Sequence, residues 1–92
     1  MIEYKLLNKD HSPITLDDVN EIGETIGSIF PEQEQEKVGG KIRKTYCVNE
    51  QTFHIYYGYS CTDISLPIKY GKKIKKTLKE LAQLKFERIQ CQ

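Results

Sequence analysis

What these 92 residues lack bounds the molecule first. No apolar run approaches the roughly 20 residues that a membrane-spanning helix needs, so the sequence predicts no membrane partner. The opening MIEYKLLNKDHS has neither the apolar core nor the small-residue cleavage site of a secretory signal; the expectation is a chain that begins as made and stays cytoplasmic. The three cysteines, Cys47, Cys61 and Cys91, are odd in number and form no Cys-x-x-Cys pair, which excludes a disulfide framework and a cysteine zinc site and predicts reduced thiols. His11 and His54 have no paired ligand spacing, so no metal is expected. Gly39-Gly40 and Tyr70-Gly71-Lys72-Lys73 match neither a Walker loop nor a dinucleotide fingerprint, and no cofactor is expected. No carboxylate pair stands out from the general acidity of the first half.

With only three prolines and six glycines, and with 38% hydrophobic and 29% charged residues, the composition is that of a folded domain rather than a fibrous or disordered chain. Residues 1–92 are read as one domain with a frayed tail at 90–92 that includes Cys91. A chain of this length buries about 60 to 65% of its unfolded surface, so it has one modest core and no room for a deep enclosed active site.

Charge is unevenly distributed behind a net +1. Residues 1–36 hold nine acids against two bases, a net −7; residues 37–92 hold twelve bases against four acids, a net +8. Such separation suits charged partner surfaces, and it also arises when an acidic and a basic helix lie side by side in one fold.

Periodicity supplies the elements. Ile2, Tyr4 and Leu6 alternate with charged residues as in a half-buried strand. Thr15 is a good N-cap, Asp17 and Asp18 suit a first helical turn, and Leu16, Val19, Ile22, Ile26, Ile29 and Phe30 recur at helical spacing, predicting a helix over about 15–30 ended by Pro31. Gly23 and Gly27 weaken it unless another element approaches closely there. Residues 31–40 have no periodicity and read as a polar connector. Three strands follow: a turn at Asn49-Glu50 sets Tyr46 opposite Phe53, Lys44 opposite Ile55 and Ile42 opposite Tyr57, and a turn at Ser60-Cys61 sets Tyr57 opposite Ile64, Ile55 opposite Leu66 and Phe53 opposite Ile68. A second helix is predicted over 71–89, with Tyr70, Ile74, Leu78, Leu81 and Ile89 on its apolar stripe; Lys85 falls inside that stripe, so the expectation is a bend, an early end or a snorkelling Lys85 side chain. The expected fold is a small two-layer α+β domain, β-α-β-β-β-α, an antiparallel meander with two helices on one face.

Two places invite chemistry. The sheet face away from the helices would carry Arg43, Thr45, Cys47, His54, Tyr56, Asp63 and Ser65, with Cys47 and His54 as diagonal neighbours. A thiol beside an imidazole is how a cysteine nucleophile is activated, but an open sheet face excludes no water and offers no oxyanion donors. The expectation is therefore no catalytic residue, with Arg43, Cys47, His54 and Tyr56 as a possible homodimer interface. The second place is KYGKKIKKTLK, where Lys69, Lys72, Lys73, Lys75, Lys76 and Lys79 crowd a helix N-terminus. Cations at that end cost roughly 0.3 to 1 kcal/mol each, so local stability does not select them. An anion-binding role would, unless the EQEQE segment or the first helix supplies the counter-charge.

The Lys72, Lys73, Lys76 spacing at the start of the last helix of an α-β-β-β-α run resembles the double-stranded-RNA-binding domain, which sets such lysines on phosphates. The resemblance covers about ten residues and the element order; that family's Gly-Pro-x-His loop is absent. It implies lysine contacts to the phosphates of double-stranded RNA, and the lysine cluster itself offers RNA or DNA binding through the Lys72–Lys79 helix N-terminus as the alternative function. The residues themselves point first to a non-enzymatic interaction module (inhibitor, immunity or antitoxin-like) that offers a basic helix edge to an acidic protein.

Overall fold

The structure, a computed structural model, describes residues 1–89. The expected tail at 90–92, with Cys91, lies outside the described residues. The elements are strand β1 (Ile2–Leu7), a 3-10 turn (Leu16–Asp18) running into helix α1 (Val19–Gly27), strands β2 (Glu32–Val38), β3 (Lys41–Val48), β4 (Gln51–Tyr57) and β5 (Thr62–Leu66), helix α2 (Gly71–Leu81) and strand β6 (Lys85–Arg88). The six strands form one antiparallel sheet in the order β2-β3-β4-β5-β1-β6. This is the small α+β fold that the sequence predicts, with two more strands than expected. Among the described residues no helix is long and apolar enough to cross a membrane.

The β3–β4 hairpin has the predicted register: Tyr46 faces Phe53, Lys44 faces Ile55 and Ile42 faces Tyr57, with Asn49 at φ 55° in the turn. The next register is corrected by two residues. Tyr57 pairs with Thr62 and Ile55 with Ile64, because the connection is a four-residue loop, Gly58 to Cys61, closed by the Gly58 N–H donating to the Cys61 carbonyl at 3.1 Å. An even shift leaves every side chain on its predicted face, but it moves Ile68 out of the sheet, where it is 77% exposed.

Residues 31–40 are a further correction, for most of this expected connector is β2. Its sequence, EQEQEKV, shows no apolar alternation because it lies at the sheet edge with every residue exposed. Charged residues on such an edge discourage pairing with other chains. The Gly39-Gly40 turn, with Gly39 at φ 55°, closes the β2–β3 hairpin. The predicted helix over 71–89 is also corrected: α2 stops at Leu81, Gln83 takes a left-handed φ of 57°, and the chain returns as β6 beside β1. Leu81, expected on the apolar stripe, is instead 66% exposed, so the helix has already run past the core where it stops, and Lys85 stays exposed on β6.

Both helices cover one face of the sheet. Leu6, Tyr46, Phe53, Ile55, Tyr57, Ile64 and Leu66 from the strands meet Ile26 and Phe30 from the α1 side and Ile74, Leu78 and Leu84 from the α2 side in a single buried cluster. Phe30 and Phe53 pack edge to face at 5.3 Å, and Tyr46 stacks on Phe53 at 5.2 Å. Thr15 caps α1's leading turn as predicted: its hydroxyl accepts the Asp17 N–H, and the Asp18 carboxylate accepts the Thr15 N–H. The close approach expected at the helix glycines is found at Gly23, where a Cβ would lie 3.1 Å from Lys44 Cε and Nζ; Gly27 faces open space.

Candidate interaction surface on helix α2

α2 is anchored by Ile74 and Leu78, both fully buried, and by Gly71, whose missing Cβ would sit 3.6 Å from Leu66 Cβ. Its first turn carries no acid, and Tyr70 at the N-cap makes no side-chain capping bond. Burying one stripe of the helix forces the opposite stripe outward, and Lys72, Lys76 and Lys79 fall on it at i, i+4 and i+7. These three and Lys73 are exposed.

The six predicted lysines are therefore not equivalent. Lys75 is half-buried, with its ammonium 4.2 Å from the centre of the Tyr4 ring and 5.9 Å from Phe86, so its charge is held largely by aromatic faces of its own chain. Lys69 lies 5.5 Å from the Tyr70 ring and Lys79 6.0 Å from Phe86. Lys72, Lys73 and Lys76 make no such contact.

The structure also locates the counter-charge. Glu32, Glu34 and Glu36 of the EQEQE segment turn to β3: Glu32 Oε1 lies 2.9 Å from Lys44 Nζ, and the Arg43 guanidinium meets Glu36 at 2.6 Å and Glu34 at 3.7 Å. β2 is the opposite sheet edge from β6, so these acids neutralise β3 and leave α2 alone. The exposed acids of α1 and its leading turn, Asp17, Glu21 and Glu24, share the helical layer but do not reach the lysines. Among the described residues no carboxylate lies within 4 Å of any lysine in 69–79.

The uncovered sheet face holds the other predicted residues, and its Arg43 and Lys41 charges pair with acids on neighbouring strands, although Arg43 Nε is buried without a hydrogen-bond partner among the described residues. Arg43 meets Glu34 and Glu36, and Lys41 meets Asp63 at 3.6 Å. His54 Nδ1 and the Thr45 hydroxyl lie 2.9 Å apart, while the Cys47 thiol donates to the Asn49 carbonyl at 3.3 Å. Cys47 and His54 thus each take a different partner and form no thiol–imidazole pair. Tyr56 is a ring neighbour of His54 at 6.3 Å. Burial, with help from the nearby Arg43 charge, holds His54 below its usual range.

Sequence reasoning missed one feature. Between α1 and the β2–β3 edge runs a groove of about 500 Å³ lined by Asn20, Gly23, Glu24, Gly27, Glu32 and Lys44, floored by the Lys44–Glu32 ion pair. The Gly-x-x-x-Gly spacing was the available signal, but nothing in the sequence placed Lys44 beneath it.

Four strands stand between the two helices, so the element order that resembled the double-stranded-RNA-binding domain does not hold and the likeness reduces to the lysine spacing. Compared with known proteins, the chain matches no family model, no curated protein and no solved structure.

Proposed function

We propose that this chain is a non-enzymatic protein-interaction module, of the inhibitor, immunity-protein or antitoxin kind, that docks the exposed face of α2 on an acidic protein surface. The observation that carries this reading is the lysine stripe, which no carboxylate among the described residues meets within 4 Å. The chain has acids enough to neutralise it yet directs those of β2 to Arg43 and Lys44. Exposed positive charge at a helix N-terminus is locally unfavourable, and a negative partner relieves it while steering the encounter.

A protein partner fits better than a nucleic acid on two counts. The net charge of +1 is far from the basic balance of dedicated nucleic-acid domains. The rings beside the lysines, Tyr4, Tyr70 and Phe86, are all half-buried and are not presented for stacking on bases.

Affinity capture from the native cell, with wild type and with Lys72→Glu/Lys73→Glu/Lys76→Glu, tests the reading. The expected result is a protein that the wild type retains after nuclease treatment and the variant loses. Capture that nuclease abolishes would replace the reading with nucleic-acid binding, and equal capture by both forms would remove α2 from the interface.

A further inference from the structure

We infer that the free protein forms a two-fold symmetric dimer through its helical layer, in which the acidic stripe of α1 in each copy covers the lysine stripe of α2 in the other. The inference rests on the reading of α2 as a protein-binding face and names its first partner: a second copy of this chain, which an acidic partner must displace.

Two outward stripes match. On α1 and its leading turn the exposed acids are Asp17, Glu21 and Glu24; on α2 the exposed bases are Lys72, Lys76 and Lys79. The lysines have the spacing i, i+4, i+7, about 10 Å at 1.5 Å per residue in a helix; Glu21 and Glu24 lie on α1 itself, and Asp17 precedes them on the 3-10 turn, where the rise is about 2.0 Å per residue. Apart from the long approach of Lys79 to the Phe86 ring, the described residues supply neither stripe with an opposite charge. They cannot satisfy each other within one molecule, because both point away from the same sheet face.

Topology then fixes the pairing. Successive antiparallel pairings make β1 parallel to β2 and β5 parallel to β6. α1 runs from the end of β1 to the start of β2, and α2 from the end of β5 to the start of β6. Since β1 and β5 are antiparallel, the two helices run in opposite directions. A second copy laid face to face has two simple two-fold arrangements. An axis across the helices sets α1 on α1 and α2 on α2, like charge on like. An axis along them sets each α1 on the partner's α2, antiparallel, twice over, with Glu24 near Lys72, Glu21 near Lys76 and Asp17 near Lys79. Charge selects the second, and it closes on itself so that no further copies add. It also brings the carboxyl-terminal end of α1 to the amino-terminal end of the partner's α2, where the helix dipoles attract.

Sedimentation velocity tests the dimer. Between about 0.01 M and about 1 M ionic strength the screening length falls from about 30 Å to about 3 Å, and the wild type is expected to pass from dimer to monomer. Glu21→Lys/Glu24→Lys makes both stripes basic and Lys72→Glu/Lys76→Glu makes both acidic. Each variant alone is expected to be monomeric at low salt, an equimolar mixture to form a heterodimer, and the chain carrying all four changes to dimerise again. Circular dichroism confirms that each variant is folded, and the mixing experiment keeps the test independent of any single variant. A wild type that is monomeric at about 0.01 M salt, or a folded pair of variants that fails to associate on mixing, would overturn the dimer. A monomeric wild type that still captures a nuclease-resistant protein through Lys72, Lys73 and Lys76 refutes the dimer and leaves the proposed function standing; a dimer whose lysine variant captures everything the wild type does has the reverse meaning.

Discussion

Removing Glu32 should cost this protein more than removing Lys44, although the two form one ion pair. Lys44 reaches from β3 under Gly23 and its side chain is 11% exposed, while that of Glu32, on the edge strand, is 34% exposed; their charged atoms are 2.9 Å apart. Glu32→Ala leaves an ammonium group beneath α1 with no carboxylate, whereas Lys44→Met keeps the stem that fills the space beside Gly23 and leaves a carboxylate that water already reaches. Stripping one partner from a fully buried pair costs about 3–5 kcal/mol. Because solvent reaches Glu32 and the groove above it, the expected loss for Glu32→Ala falls to about 1–3 kcal/mol. Lys44→Met should cost under about 1 kcal/mol, as an apolar replacement of similar volume often does. The double variant should then be more stable than Glu32→Ala alone. Urea unfolding at unchanged m-value reads these differences, and each kcal/mol should appear as roughly 4–8 °C in Tm for a domain of this size. A Glu32→Ala variant within about 0.5 kcal/mol of wild type, or a Lys44→Met variant less stable than Glu32→Ala, would refute the reasoning.

Three further outcomes follow from buried or crowded groups. Tyr46 and Tyr57 meet through their hydroxyls at 3.4 Å in the core; burial pushes Tyr46 up to about 12 and Tyr57 higher still. Since a free tyrosine titrates near about 10, their neutral forms add stability that is full below about pH 10 and is lost as pH rises through about 12. Absorbance titration should show a late phenolate step, coincident with alkaline unfolding, that shrinks in Tyr46→Phe and Tyr57→Phe. His54 should titrate below about 6.5 by NMR, contributing stability that is present above that pH and lost as pH falls through the folded value, and Arg43→Gln should raise its midpoint without restoring it fully, because burial is the larger cause. Gly58→Ala should destabilise by about 1–3 kcal/mol, since the new Cβ would lie 2.7 Å from the Cys61 carbonyl oxygen; a chemical denaturation midpoint equal to wild type would contradict the loop geometry.

Elements that bury one face were legible in the sequence, and elements that bury neither were not. The β3–β4 register follows from Tyr46, Phe53, Ile55 and Tyr57, because pairing any of them one residue out would turn the set to solvent. Thr15 and Asp18 announce the start of the first helix through their capping pattern. β2 is held by backbone pairing and by Glu–Arg and Glu–Lys contacts that only a known neighbour reveals, so a period-2 search finds no signal in EQEQEKV; the Gly39-Gly40 turn was the clue available. β6 offers only Phe86 to the core side, and the end of α2 was foreshadowed by Lys85 alone. At the candidate site, the split of the lysines was half legible. Ile74 and Leu78 mark the buried stripe and so place Lys72, Lys76 and Lys79 opposite. The retreat of Lys75 onto Tyr4 depends on β1 lying next to β5, which no local pattern states.

The central claim, that the exposed face of α2 is a protein-binding surface, is tested most directly by lysine footprinting of the protein bound to its captured partner after nuclease treatment. Acylation rates at Lys72, Lys73 and Lys76, read by peptide mass spectrometry against those at the exposed Lys9 and Lys37, should fall at least about tenfold from the free monomer, diluted until sedimentation velocity shows no dimer, to the complex, the equivalent of about 1.4 kcal/mol of protection, while Lys9 and Lys37 stay unchanged. Equal reactivity of Lys72, Lys73 and Lys76 in the free monomer and in the complex would contradict the account.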